Sequence, residues 1–94
     1  MTMGFVYAVI KGEQALKAYC SRRWKDQRIH WTGVFGHIDE CTVETIWAFE
    51  PDGQCAQYFI LYLPHPKGEH NDQTAVRHQV YEEIRQGTIK LLKV

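Results

Sequence analysis

The residues most able to do chemistry in this chain are five histidines, three cysteines and a short acidic run. His37 and Cys41 stand four apart and His65 and His70 five apart, with no Cys-x-x-Cys pair and no His-Glu-x-x-His helix. A closed zinc site needs four ligands on a rigid frame, usually announced by two close pairs. His65, His70 and the neighbouring His78 therefore read as solvated histidines rather than ligands. Cys20 and Cys55 fall on expected core faces, where a thiol acts as a small apolar group. Cys41 follows Asp39 and Glu40, whose charge raises a thiol pKa and opposes a nucleophilic role. His37, Asp39, Glu40 and Glu44 offer the imidazole and carboxylates of a metal-dependent nuclease. They follow one another at a strand entry, however, where alternation sends neighbours to opposite sides, and a solvated acidic turn is the simpler reading. The single serine, Ser21, has no base beside it, and the glycine-rich phosphate and nucleophile-elbow motifs are absent. No catalytic residue, metal or cofactor is assigned.

Two binding surfaces emerge instead. Arg22, Arg23, Lys25 and Arg28 are interleaved with Trp24 and Trp31, a composition suited to phosphate contact with base stacking. Trp24 shares a helical stripe with Leu16 and Cys20, which assigns it to the core. The second surface is Tyr58, Ile60 and Tyr62, beside Ile46 and Ala48 on one sheet face. If helices cover the opposite face, this one is open, a layout similar to the RNA-recognition-motif platform. It departs from that platform in having no Lys, Arg or Gly on residues 54–63, and Glu44 and Glu50 on the same face would repel phosphate. A protein-docking face or homodimer seam fits better, and a charge at Ile60 is expected to split such a dimer without unfolding it. Gly4 to Tyr7 with residues 17–22 resembles the opening of the GIY-YIG nucleases. Cys20 and Ser21 replace the second glycine pattern after Tyr19, and no family assignment follows.

The elements that position these residues follow from periodicity. Residues 4–10 are β-branched and aromatic and read as a buried strand. Residues 13–26 carry Leu16, Tyr19, Cys20 and Trp24 at helical spacing, with Glu13 at the start and basic residues at the end, as the helix dipole favours. Residues 28–38 read as one distorted strand interrupted by Gly33 and Gly36. Residues 41–63 form a hairpin around Glu50-Pro-Asp-Gly-Gln54, with Val43 opposite Leu61. One hairpin face carries Val43, Thr45, Trp47, Phe49, Cys55, Gln57, Phe59 and Leu61 and is assigned to the core, Trp47 and Phe59 above all. Residues 64–70 are a polar loop. Asn71 or Asp72 caps a helix carrying Val76, Val80 and Ile84 and ending at Gly87, and residues 88–94 read as a last strand. The expected fold is α+β, a ferredoxin-like split β-α-β-β-α-β arrangement with four or five antiparallel strands and both helices on one face.

Composition bounds the function. Ninety-four residues make one domain, and 11 basic residues balance 11 acidic ones, which disfavours a general phosphate binder. Residues 1–38 nevertheless hold six basic and two acidic residues, and residues 39–94 five basic and nine acidic. Such segregation suits docking onto a partner. The longest apolar run, residues 5–10, is far too short for a membrane span, and the odd cysteine count without framework spacing points to the cytoplasm. The leading expectation is a non-catalytic protein-binding module that acts by docking and occlusion. It would be homodimeric, in the style of small inhibitors carried by phages or other mobile elements. Its partner-binding residues would be Ile46, Tyr58, Ile60, Tyr62, Arg22, Arg23, Lys25 and Arg28. The alternatives are a nucleic-acid or nucleotide binder using the basic segment and the tyrosine face, and a small metal-dependent nuclease using His37, Asp39 and Glu40.

Overall fold

A computed structural model describes residues 7–64 and 72–93. Its elements are β1 (Tyr7–Lys11), α1 (Glu13–Arg23), β2 (His30–Thr32), β3 (Phe35–Ile38), β4 (Cys41–Phe49), β5 (Cys55–Tyr62) and α2 (Gln73–Gln86). The strands form one antiparallel sheet in the order β1-β5-β4-β3-β2. The class is α+β, with five strands and two helices. Residues 4–6, the loop histidines His65 and His70, and Asn71 lie outside the described residues.

The β4–β5 hairpin is the centre of the sheet, and its register is the expected one, from Val43↔Leu61 to Phe49↔Cys55. The turn closes with Glu50 N–H donating to the Gln54 carbonyl at 2.8 Å and with Gly53 at φ 86°, a conformation glycine adopts without steric cost. On α2, the Asp72 side chain accepts from Ala75 N–H at 3.1 Å, and Gly87 ends the helix in the left-handed region. Helix α1 ends at Arg23, so Lys25 and Asp26 lie beyond it.

The expected single strand over residues 28–38 is two short strands. Gly33, at φ 68°, turns the chain between β2 and β3. Gly36 faces Trp31 across this hairpin, and a Cβ there would lie 2.5 Å from Ile29 Cγ2 and 2.7 Å from Trp31 Cε3. The bare backbone lets both side chains lie across β3, bringing the Trp31 ring to 6.2 Å from that of Phe59.

The helices do not share a face. Leu16, Cys20 and Trp24 of the α1 segment pack with Ile10, Val43, Phe59 and Leu61. Val76, Val80 and Ile84 of α2 pack with Val9, Ile46, Ala48, Tyr58, Ile60 and Tyr62. Phe59 and Leu61 alternate along β5 with Tyr58, Ile60 and Tyr62, so the clusters occupy opposite sides of the sheet. The expectation of two helices on one face, and with it the split β-α-β-β-α-β arrangement, is corrected. Both faces of the hairpin are apolar, and each takes its own helix. The expected last strand is absent from the described residues 88–93. That segment instead crosses the β1 edge, where Leu92 N–H donates to the Val9 carbonyl at 2.8 Å. Ile89 packs on the α2-side cluster and Leu92 on the α1-side cluster.

Trp47 is a second correction. It shares a face with Phe59, yet it is 60% exposed where Phe59 is 3% exposed. Helix α1 packs chiefly over β1 and β5, which leaves the turn end of β4 uncovered on that side. Denaturant titration should therefore separate the two aromatics. Phe59→Ala is expected to cost about 3–5 kcal/mol, as for a buried ring, and Trp47→Ala less than about 1 kcal/mol. Ile60, fully buried beneath α2, cannot hold a charge, so Ile60→Asp is expected to unfold the domain rather than change its assembly.

Candidate functional site

The apolar residues expected on an open face are covered. Ile46, Tyr58, Ile60 and Tyr62 are all buried between the sheet and α2. The tyrosine hydroxyls are spent on carboxylates of the same face. Tyr62 donates to Glu44 Oε1 at 2.7 Å, and Arg77 of α2 donates from Nε to Glu44 Oε2 at 2.6 Å. Glu44, a charged residue only 4% exposed, thus has each oxygen engaged. At the turn end of the same face, Tyr58 and Lys11 both donate to Glu50 Oε2 at 2.6 Å. The Lys11 bond foremost, then that of Tyr58, holds the Glu50 carboxyl below its usual range. Burial first, then the bond to a carboxylate, pushes both tyrosine hydroxyls above theirs. The bond to Glu44 raises Arg77 likewise. These groups position α2 and the hairpin end, with no unengaged polar atom left for a ligand on Glu44.

The basic segment is at the surface. Arg22, Arg23, Lys25 and Arg28 are exposed, and none forms an ion pair among the described residues. The Arg23 guanidinium lies 4.9 Å from the Trp24 ring centroid and donates to the Tyr19 hydroxyl at 2.9 Å. Trp24 itself is buried, as its helical stripe implies. Because the helices lie on opposite faces, the charge split partly survives folding. The α1 layer, residues 13–28, carries five basic and two acidic residues, whereas residues 72–86 carry two basic and three acidic. His37 is exposed on β3, with Nδ1 3.5 Å from Thr42 Oγ1. Asp39 sits in the β3–β4 turn at φ 54°, and Glu40 is exposed. Among the described residues, no three His, Cys, Asp or Glu side chains converge to hold a metal. All three cysteines are free, and burial pushes the Cys20 and Cys41 thiols up.

Sequence reasoning missed the surface that the fold leaves open. Strand β3 pairs with β4 only as far as Phe35↔Glu44, with one further bond from Thr45 N–H to the Val34 carbonyl at 2.7 Å. From there to Phe49, β4 has β5 on one side and no described strand on the other. Since Thr45 N–H points toward β3, ladder alternation turns the N–H and C=O of Trp47 and Phe49 to the same unoccupied edge. Among the described residues, five of the six exposed large apolar side chains lie near it: Trp31, Val34, Trp47, Phe49 and Tyr81. On the α1 side runs a groove of about 680 Å³ that includes Leu16, Lys17, Arg28, Trp31, Thr45 and Phe59. On the α2 side a smaller hollow of about 340 Å³ lies between Phe49 and Arg77, His78, Tyr81 and Arg85. The signal present in the sequence was the pair of large aromatics, Trp47 and Phe49, beside the turn.

Two measurements check the polar network. Arg77→Leu strands the buried Glu44 carboxylate and should cost about 3 kcal/mol, the low end for breaking a buried pair, because the Arg77 side chain keeps 29% exposure. Thermal melts across pH should show the linkage of the tyrosines and Glu50. Tyr58 and Tyr62 have raised folded pKa values, so their contribution is full below about pH 10 and is lost as pH climbs beyond it. Glu50 has a lowered one, so its contribution is present above about pH 4.3 and is lost as pH falls further. Tyr62→Phe should flatten the alkaline loss and Glu50→Gln the acid loss.

No family model matches this chain, and neither the curated proteins nor the solved structures contain a match to it.

Proposed function

We propose that the protein is a non-catalytic binding module that works by docking on a protein partner and occluding it, in the manner of small inhibitors carried by phages and other mobile elements. The observation that supports this is the unpaired edge of β4 at Trp47 and Phe49, bordered by exposed apolar side chains. An exposed strand edge offers a row of unsatisfied donors and acceptors, and proteins ordinarily blunt such edges with charge, proline, bulges or a covering segment. The β1 edge is crossed by residues 88–93, and β2 is a three-residue strand. Thr45-Ile-Trp-Ala-Phe49 has neither charge nor proline. Clustered exposed aromatics on one contiguous surface are likewise characteristic of interaction sites. The reading moves the docking surface from the tyrosine face, which α2 occupies, to the edge beside it. Free thiols fit a reducing compartment such as the cytoplasm.

A nucleotide or nucleic-acid binder is the second reading, favoured by Arg28 and Trp31 lining one groove. The two are separated by capture from a native lysate with wild type and with a Trp47→Asp/Phe49→Asp variant, each checked for fold by circular dichroism. A protein retained by wild type and lost with the variant is the expected result. Retention of nucleic acid alone, lost on Arg28→Glu, would replace the docking reading with the second one.

A further inference from the structure

We infer that the occupant of the β4 edge is an extended segment of a foreign partner, alternating carboxylate and apolar side chains, which adds to the sheet as an antiparallel strand beside Trp47–Phe49. The inference rests on the docking reading above and names what docks. Main-chain bonds to an open edge supply affinity without side-chain selectivity, and the pockets beside the edge supply the selection. An added strand sends alternate side chains to the two sides of the sheet. On the α1 side, where Trp47 is exposed, they approach the groove lined by Trp31 and Thr45 and bordered by Lys17, Arg28 and Glu13. Arg28 has no ion-pair partner among the described residues. Among the described residues Lys17 pairs with Glu13 alone, at 3.1 Å and one turn away on α1, and the two side chains are 74% and 62% exposed. Such exposed pairs are weak, so Lys17 can turn to an incoming carboxylate. On the α2 side the hollow is lined by Phe49 and Tyr81 with His78, Arg77, Glu82 and Arg85; Arg77 is paired with Glu44 and Arg85 with Glu82, which leaves the two rings to favour an apolar residue.

A second copy of the chain fits less well. Antiparallel self-pairing places its two-fold axis perpendicular to the sheet, which sets the two basic α1 layers on one side of a continuous sheet. The segment Trp47–Phe49 that each copy would present carries no carboxylate to meet Lys17 or Arg28. Like charges set side by side oppose such an arrangement.

The test uses the full chain, labelled with nitrogen-15, and three capped heptapeptides. One alternates glutamate with valine, one has lysine for glutamate, and one is the glutamate peptide with alternate backbone nitrogens methylated. The expected result is amide shifts at Trp47 to Phe49 with the glutamate peptide only, weakening at high salt. Lys17→Glu/Arg28→Glu should weaken it at least about tenfold and admit the lysine peptide. Trp47→Pro removes an outward N–H and should abolish binding; the methylated peptide tests the same bonds should that variant fail to fold. Equal binding of the lysine peptide, shifts confined to another surface, or no binding of any peptide would each overturn the inference. Light scattering distinguishes that failure from failure of the docking reading. A wild-type dimer that Trp47→Glu converts to a monomer would make the occupant a second copy and leave the edge as the docking surface. A monomer that binds no peptide, and whose lysate partners are indifferent to Trp47 and Phe49, would overturn both.

Discussion

The β4–β5 hairpin is apolar on both faces, and the architecture is a response to that one constraint. A sheet that buries a single face can leave the other wet, but here Val43, Phe59 and Leu61 point one way and Ile46, Ala48, Tyr58 and Ile60 the other. Each face must be removed from water, at about 25 cal/mol for every Å² of apolar surface. The described residues form two helices, one on each side. Their placement then decides what is left over. Helix α2 packs over β4 and buries Ala48 near the turn, whereas α1 packs over β1 and β5 and leaves Trp47 uncovered. The exposure of Trp47 is thus a consequence of where α1 lies on the sheet.

Directional contacts fix where α2 lies. Valine and isoleucine side chains on a sheet would tolerate several placements of a helix at similar energy. The Glu44 carboxylate accepts from Tyr62 on β5 and from Arg77 on α2 at once, and that geometry is met at one placement. A buried pair of this kind adds little net stability over an apolar substitute, because desolvation offsets the attraction. Its value lies in penalising the alternatives, each of which would leave a buried carboxylate unpaired. The Lys11–Glu50–Tyr58 group serves the opposite end of the same face, tying β1 to the hairpin turn.

What sequence reasoning recovered was local chemistry. The turn at Pro51–Gly53, the hairpin register, the Asp72 cap and the Gly87 stop are each written in a few adjacent residues, and each stands in the structure. Alternation also sorted the hairpin residues correctly into two faces. It could not say what covers each face, because that depends on the path of the chain between distant elements. Assigning both helices to the Phe59 face therefore exposed the Tyr58 and Tyr62 face on paper and buried Trp47. The Gly33 turn went unread because three-residue strands such as His30–Thr32 are too short for periodicity to register. Of the candidate binding residues, the four basic ones lie on the surface as expected, and the four apolar ones lie beneath α2. Carboxylates on an apolar strand face were the available sign of that covering. Glu44 and Glu50, taken as repelling a ligand, are instead the acceptors for the two tyrosines.

The cost of leaving β4 open bears on function as much as the contacts do. A free, uncharged strand edge flanked by aromatics is a template for indiscriminate pairing, and proteins keep such edges rare. Two features here limit the hazard without closing the edge. Its unpaired length is short, from Trp47 to Phe49, so few ladder bonds are available to an incoming strand. The groove beside it, which reaches β4 at Thr45, is lined by Lys17 and Arg28 with Glu13, a setting that would disfavour a strand bringing a basic residue there. A strand must therefore supply side-chain complementarity to be held. The same arrangement that guards against promiscuous pairing would make the proposed docking edge selective.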